Sequence, residues 1–522
     1  MRNIFSKRKY SVAITISGFV IGSLILFANC NKKELNTINP NGLPATEFWK
    51  TADDAEKGLV GCYGPLTTIP GWGRMLGAIL TIQRGDDVNP FASTGVQDVG
   101  TFNAKTNDGR VAEGWGELNA IVARANSVIA YVPNINMDDA QKERIVGEAY
   151  FLRGFAHFYL LNAWGHIPLI TTPLVSLSDL DIEQASQDDV WASIISDCQE
   201  AQKRLPQTVA AKDIGRATWG AATALLGKSY LYTKKWSEAA TEFKKVIDRA
   251  DLYQLVANYQ DNCLQSGDNN KESIWELQYQ SSSAGNWGAS GTANPWRGQA
   301  WEPDIAPIGF TSQGTCTVNQ WVFDLFMKQK TKSNEIDPRA YASMIWNYPG
   351  AKVYQLDFTA AMNGENANKI WIRKYLNFDK TNSLEGDWPF STNNRRMIRL
   401  ADVLLMYAEA INESNGGPNA DAYTAINRVR SRANMPDITV GLNQDDFRTA
   451  VRDERMLELA FEGERVFDLL RWGTMATVFK AHPEYRSNSG SLPFKDGFEY
   501  LPIPQNDINA NPKIQQNQGY SQ

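Results

Sequence analysis

Histidine is scarce in this chain, and the motifs that usually accompany catalysis are missing. Only three histidines occur among the 522 residues. His157 and His166 lie in or beside a helical pattern, and His482 precedes a proline. No HExxH, GxSxG, Walker or GxGxxG motif occurs in a suitable context. We therefore predict no catalytic residue, no cofactor and no metal site, and a protein that is not an enzyme.

Runs of basic residues are missing as well. The formal net charge is −6, and the first 29 residues carry four basic side chains and no acidic one, so the rest of the chain is still more acidic. Nucleic-acid binding depends on lysines and arginines that neutralise phosphates. We expect no nucleic-acid partner.

Cysteine is rare, with five residues and no CxxC spacing. Cys62, Cys198, Cys263 and Cys316 could pair in several ways, and the sequence does not choose among them. Scattered, partly buried thiols are the interpretation that we favour, since an unpaired cysteine behaves as a small hydrophobic residue.

Only one long apolar run occurs, at residues 11–28, after a basic segment at residues 1–10. This is the layout of an export signal, and Cys30 follows it directly. We predict a signal peptide over residues 1–29, lipidation at Cys30 and a tether over residues 30–45. The alternative is a signal anchor, because about 18 apolar residues nearly span a bilayer. With a lipid the protein would be anchored to a membrane, with its body in water.

Two capping boxes predict where helices begin. Thr51 and Asp54 have the required spacing, as do Ser186 and Asp189. Between residues 219 and 250 the spacing of five residues matches a tetratricopeptide unit of two antiparallel helices. These residues are Leu226, Gly227, Tyr230, Ala239 and Phe243.

A second helical hairpin is predicted over residues 396–432. One apolar face is followed by a turn at residues 415–418, and a second apolar face returns. Because one such unit cannot bury its own face, several units are expected to stack. The apolar positions are Leu400, Val403, Leu404, Tyr407, Ile411, Ala422, Tyr423, Ile426 and Val429.

Residues 264–395 have few periodic helices and are rich in Ser, Gly, Asn and Trp, as expected of loops that carry a binding site. Aromatic planes bind the C–H face of a sugar, and amides, carboxylates or arginines bind its hydroxyl rim. Loop anchoring, turn capping or transporter contact are the alternatives. The candidate ligand-binding residues are Trp72, Arg74, Asp86, Asn89, Trp287, Asn294, Trp296, Arg297 and Trp301.

The chain resembles the SusD/RagB family of surface lipoproteins in five motifs that occur in the family's order. The last of them is a C-terminal ending made of 500–504 (YLPIP), 511–513 (NPK) and 516–520 (QNQGY). The other four are 144–153 (RIVGEAYFLR) continuing through 159–169 (YLLNAWGHIPL), 399–410 (RLADVLLMYAEA), 427–433 (NRVRSRA) and 452–465 (RDERMLELAFEGER).

This resemblance implies a mainly α fold, a tetratricopeptide-like α-superhelix with a long loop-rich insertion that carries the ligand face. It divides the chain into an N-terminal helical region at 46–263, the loop-rich region at 264–395 and a C-terminal region at 396–522. It also implies a glycan ligand, a SusC/RagA-like TonB-dependent transporter as partner, and an outer-membrane position facing the cell exterior. The alternatives are a peptide ligand, a glycoside hydrolase with two carboxylates across a cleft, and a scaffold without a ligand.

The segment after residue 452 holds many acidic and arginine residues. Glu458 and Glu462 are four positions apart, so their like charges meet on one helix face unless arginines intervene. We expect an interlocked ion-pair network rather than a catalytic carboxylate pair, and Gly463 is expected to permit close helix approach.

Overall fold

Helices account for most of the structure. A computed structural model describes residues 48–90, 98–176, 179, 181–280, 298–307, 316–362, 364–376, 391–486 and 491–520. The described residues from Thr51 onward belong to one compact unit. The predicted mainly α class is confirmed.

The longer elements of the first half are α-helices that pack on their neighbours in sequence. They are α1 (Ala52–Tyr63), α2 (Gly109–Tyr131), α3 (Asp139–Trp164), α4 (Gln187–Arg204), α5 (Trp219–Tyr232) and α6 (Trp236–Ile247). The later helices are α7 (Glu302–Ile305), α8 (Gln320–Lys328), α9 (Pro338–Ser343), α10 (Phe358–Ala361), α11 (Leu400–Asn415), α12 (Ala420–Arg432), α13 (Gln444–Leu459), α14 (Arg465–Arg471), α15 (Met475–Ala481) and α16 (Gln505–Ala510).

The strands among the described residues are short and form two-stranded antiparallel sheets. One of these sheets, between residues 273–277 and 395–399, joins the loop-rich region to the start of the C-terminal helices. The pairs are β1 (Val88–Pro90) with β3 (Cys316–Val318), β2 (Ser273–Leu277) with β8 (Arg395–Arg399), β4 (Met344–Ile345) with β7 (Trp371–Ile372), and β5 (Lys352–Val353) with β6 (Leu356–Asp357).

The Thr51 capping box is formed as the sequence predicts, and at Ser186 the side-chain cap of α4 is formed without the reciprocal backbone bond of a capping box. The Thr51 backbone N–H donates to the Asp54 carboxylate at 2.8 Å, and the Asp54 N–H donates to the Thr51 hydroxyl at 3.2 Å. The Asp189 N–H donates to the Ser186 hydroxyl at 3.1 Å. These bonds satisfy N–H groups that have no partner inside the helix, and they fix the starts of α1 and α4.

The tetratricopeptide-like pair is formed by α5 and α6, which pack on each other. A Cβ added to Gly227 would lie 2.7 Å from Cε1 of the buried Phe243 ring, so a glycine is needed for this approach. α11 packs on α6 and on α12, which extends the stack. The turn between α11 and α12 contains Gly416 at φ 69°, a left-handed conformation that suits glycine.

A buried ion-pair network joins the C-terminal helices. Arg399 donates to Glu458 at 2.5 Å and to Glu462 at 2.7 and 3.0 Å, while Arg432 also pairs with Glu458. Burial alone would raise the pKa of Glu462, but Arg399 and Lys374 bring it to about 2. The interlocked network that the sequence predicts is therefore confirmed.

Gly463 has φ 79° and lies between α13 and α14, and a Cβ there would lie 2.5 Å from the Thr81 hydroxyl. The close approach that the sequence predicts is therefore to a turn residue and not to another helix. The four described cysteines are buried, and Cys62, Cys198 and Cys263 are free thiols.

In the part of the chain that the structure describes, no helix has the length and apolar character needed to cross a membrane. The predicted signal peptide, Cys30 and the tether lie outside the described residues.

Candidate functional site

Two of the predicted tryptophans lie in the interior. Trp72 and Trp301 are 1% and 0% exposed, and the indole N–H of Trp301 donates to the carbonyl oxygen of Trp72 at 3.0 Å. The Trp72 ring packs on Phe155 and Tyr159 at centroid distances of 5.1 and 4.8 Å. Arg395 lies over the Trp301 ring at 4.7 Å. The structure therefore corrects the prediction that these two rings bind ligand, because both rings anchor loops in the interior.

Arg74 is also buried, and it holds the same two loops together. Its Nε and Nη2 donate to the Asp304 carboxylate at 2.7 and 2.8 Å. A Cβ at Gly77 would lie 2.4 Å from the Trp301 ring, so the backbone and the indole are in direct contact. Arg74 is therefore a positioning residue and is not at the surface, which corrects its predicted role.

Asp86 forms a two-point ion pair with Arg465. Nε of Arg465 lies 2.6 Å from Oδ1 of Asp86, and Nη2 lies 2.9 Å from Oδ2. Because both carboxylate oxygens accept from one guanidinium and the residue is 2% exposed, Asp86 cannot line a ligand site in this arrangement. The structure places it among the loop anchors.

Asn89 is half-buried in β1, where it pairs with Thr317 of β3. It is the one predicted site residue, among those that the structure describes, that is not fully buried. Trp287, Asn294, Trp296 and Arg297 lie outside the described residues, in the segment 281–297. These five assignments stay predictions.

Beside Asn89 the structure places an aromatic row that the sequence did not single out. The row consists of Trp321 at the start of α8, Tyr485 and His482. Tyr485 and His482 stack at 4.7 Å with an interplanar angle of 13°, and Trp321 lies 6.3 Å from Tyr485. His482 is exposed, and Trp321 and Tyr485 are half-buried. The three side chains therefore form one partly exposed aromatic surface.

The Trp321 ring is held from below. Its indole N–H donates to the carbonyl oxygen of Asp86 at 2.8 Å, and the Arg465 guanidinium lies 5.2 Å from the ring centroid. Burial, with the negative charges of Asp86 and Glu484, raises the pKa of Tyr485 to about 12. The Tyr485 hydroxyl is therefore a neutral hydrogen-bonding group at physiological pH.

The loop behind the row is fixed through its backbone. Asn319 donates to the carbonyl oxygens of Asp86 and Val88 at 2.8 and 2.9 Å. Arg486, the residue after Tyr485, donates to the carbonyl oxygens of Gly85 and Gln83 at 2.7 and 3.1 Å. These bonds satisfy carbonyl groups of the loop beneath Trp321 and tie the loop to the segments that carry Trp321 and Tyr485.

The arrangement suits binding better than hydrolysis. Asp86 and Asp87 are each 2% exposed, and Asp86 is held by Arg465, so neither carboxylate reaches a cleft where it could act on a glycosidic bond. Among the described residues, no group of His, Cys, Asp or Glu is placed to hold a metal ion. Partly exposed rings with polar neighbours are instead suited to stacking on the C–H face of a sugar.

Short-range sequence patterns do not indicate the aromatic row. Trp321 lies in a short amphipathic helix, where an aromatic residue is usually interpreted as core. His482 and Tyr485 flank Pro483 in the C-terminal region, far from the loop-rich segment where ligand residues are expected. Only the fold brings these two parts of the chain together.

Comparison with known protein families identifies matches over most of the chain. Residues 271–520 match the SusD family, and residues 90–231 match a family described as starch-binding and associating with the outer membrane. SusD-like protein P25 of Formosa agariphila is 28% identical, over 96% of this chain and 98% of that protein. The starch-binding protein SusD of Bacteroides thetaiotaomicron is 24% identical, over 74% of each chain.

Solved structures are similar across the same length. A SusD superfamily protein from Bacteroides vulgatus has a TM-score of 0.78 and 29% identity, with 90% of this chain and 100% of that chain covered. A laminarin-binding SusD-like protein has a TM-score of 0.72 and 27% identity, with the same coverage. The tetratricopeptide-like helical fold is therefore shared along nearly the whole described chain.

Proposed function

The chain belongs to the SusD/RagB family, and we propose that it is a cell-surface lipoprotein that binds oligo- or polysaccharide for uptake. The aromatic row of Trp321, Tyr485 and His482 is the observation that carries this proposal. Its rings are partly exposed and hydrogen bonds hold the loop beneath them, so we expect little conformational entropy to be lost when a sugar stacks on them.

The row is proposed to act together with the predicted loop residues. Asn89 lies in the strand behind the row and could bind sugar hydroxyl groups. Trp287 and Trp296, with Asn294 and Arg297, remain candidates to complete the site from the segment 281–297. Trp72, Arg74, Asp86 and Trp301 would support it from the interior.

Glucans are the first ligand class to test. One relative of similar structure is named as laminarin-binding, and another relative is named as starch-binding. Both names refer to glucose polymers, and an aromatic row suits the repeated C–H faces of such chains. The protein would act by binding alone, without a cofactor, and would not be an enzyme.

Delivery to a transporter is the second part of the proposal. A lipid on Cys30 would hold the protein at the outer membrane, facing the exterior. The matched family description supports the outer-membrane association alone. A SusC/RagA-like TonB-dependent transporter would then receive the glycan. Co-purification of the lipidated protein with a SusC/RagA-like transporter from the same cells tests this part separately.

The binding test is affinity electrophoresis of the form that starts after Cys30, in gels that contain laminarin, starch, xylan or another polysaccharide. Three variants run beside it: Trp321→Ala with Tyr485→Ala, Trp287→Ala with Trp296→Ala, and Trp236→Ala. Trp236 is half-buried at the start of α6 and is the matched control. Thermal unfolding establishes that each variant is folded.

Retardation of the wild type and the control, lost in the Trp321 and Tyr485 variant, would support glycan binding at the row. Retardation that survives in this variant would remove the row from the site. If no polysaccharide retards the wild type, the glycan proposal fails, and titration with peptide mixtures becomes the test of the alternative ligand.

A further inference from the structure

A second group of aromatic side chains lies on the other flank of α8. We name Phe323, Tyr341, Trp346 and Tyr348 the aromatic patch. Trp346 is at its centre, with Phe323, Tyr341 and Tyr348 at centroid distances of 5.2, 5.2 and 4.7 Å. All four side chains are half-buried, and Asn347 between the last two is exposed.

The geometry of α8 places the row and the patch on either side of one surface. Val322 and Phe326, four positions apart, are buried, while Gln320 and Asp324 are exposed and hydrogen-bonded at 2.9 Å. With 100° per residue, Trp321 and Phe323 project to opposite sides of the exposed face. Trp321 contributes to the aromatic row, and Phe323 contributes to the patch.

The patch is fixed by the elements beneath it. Trp346 follows β4, whose residues Met344 and Ile345 are fully buried and pair with β7. Arg373, which follows β7, donates to the carbonyl oxygen of Tyr341 at 3.0 Å. Phe323 and Tyr341 therefore project from the helices α8 and α9, and Trp346 and Tyr348 from the segment that directly follows the paired strand β4.

The size and chemistry of the patch favour a carbohydrate over a protein. Four half-buried rings expose roughly 300 Å² at most, whereas a stable protein interface needs about 800 Å² on each side. The surroundings of the patch are polar, with Asp324, Asn347 and Arg373.

We propose that the aromatic patch is a second glycan-binding surface, which stacks on a further segment of the same polysaccharide chain that the aromatic row binds. This proposal rests on the proposed function and specifies its ligand as a long chain rather than a short oligosaccharide. A helix is about 10 Å across, so one chain can lie over the Gln320 and Asp324 face and contact both groups of rings. Binding at one surface raises the effective concentration at the other.

The test compares polymers with short oligosaccharides. The probes are the polysaccharides of the panel, laminarin first, and short oligosaccharides cut from each of them. Titration calorimetry measures the wild type, a patch variant with Trp346→Ala and Tyr348→Ala, a milder Tyr348→Ala variant, a Trp346→Phe variant and the Trp236→Ala control. The milder variant and Trp346→Phe keep the test usable if the double variant does not fold.

The patch variant is expected to bind the intact polymer about tenfold more weakly than the wild type, with unchanged affinity for the short oligosaccharides. Trp346→Phe should retain most of the polymer affinity, and the control all of it. Equal polymer affinity in folded patch variants and in the wild type would overturn the second surface and leave the proposed function intact. Wild-type protein that binds no glycan at all would overturn both.

Discussion

Arg465 and Asp86 are 379 positions apart in the chain, and their side chains form a two-point ion pair at 2.6 and 2.9 Å. The pair joins the start of α14 to the loop beneath Trp321, and the same guanidinium lies 5.2 Å from the Trp321 ring. One arginine of a C-terminal family motif therefore links the helical scaffold to the proposed ligand surface.

Loss of Arg465 is expected to cost about 3 kcal/mol of unfolding free energy, because Asp86 would stay buried without its partner. Arg465→Met combined with Asp86→Asn should recover part of that loss. Urea unfolding of the two single variants and the double variant measures the coupling. Strictly additive effects would show that the pair is not energetically coupled.

Asp87 provides a prediction of pH dependence. Burial, with the charge of Asp86, raises the pKa of Asp87 from 3.8 to about 7 against the opposing effect of Arg465, and among the described residues its Oδ1 has no hydrogen-bond partner. The unfolded carboxyl ionises near its ordinary pKa and the folded one only near 7. The folded state therefore loses stability as the pH rises between these values, and the cost is fully present above about pH 7.

Asp87→Asn removes this titration. The unfolding free energy of the variant minus that of the wild type should grow from pH 4 to pH 8, by on the order of 4 kcal/mol. Denaturant unfolding across this pH range is the measurement. A difference that does not change with pH would mean that Asp87 is ionised in the folded protein at all these pH values.

The buried network predicts a large effect for Arg399. Arg399→Gln leaves Glu462 and Glu458 with fewer partners in a site that water does not reach, and we expect a loss of about 3–5 kcal/mol. Lys244→Ala is the matched control, since the Lys244–Asp248 pair is more than half exposed on each side and should contribute less than about 0.5 kcal/mol. Similar losses in both variants would argue against a special role for the network.

Two helical glycines should respond to alanine with opposite signs. Gly227→Ala places a Cβ 2.7 Å from Phe243, so the α5–α6 pair must separate and stability should fall by about 1–3 kcal/mol. Gly116, exposed in α2, has nothing within 4 Å of the added Cβ, and Gly116→Ala should stabilise by roughly 0.5–1 kcal/mol. Thermal unfolding measures both, and a stabilising Gly227→Ala would contradict the close packing.

The cysteines should be unreactive in the folded protein. Burial raises the pKa of Cys62 to about 12 and that of Cys263 to about 11, and a thiol reacts as its thiolate. In the form that starts after Cys30, a chromogenic disulfide reagent should label no cysteine under native conditions and all four in denaturant. Fast labelling of the native protein would show that a thiol is accessible.

Much of the scaffold follows from short-range sequence patterns. Thr51 and Ser186 cap their helices as their spacing predicts, because the bonds involved lie within one helical turn. Gly227 and Phe243 indicate the packed α5–α6 pair for a similar reason, since the two helices are adjacent in the chain. Glu458 and Glu462 are four positions apart, so their spacing predicts that arginines lie between their like charges. Which arginines these are does not follow from the sequence.

The positions of the aromatic side chains were decided by the tertiary structure. Trp72 and Trp301 lie in loop-like sequence, yet they are buried, through a contact between residues 229 positions apart. Trp321 lies in an amphipathic helix and is half-buried, with its indole N–H bonded to Asp86 and its ring beside Arg465. A tryptophan has the same apolar ring in either setting, and only contacts between distant parts of the chain determine whether the ring faces the core or the solvent.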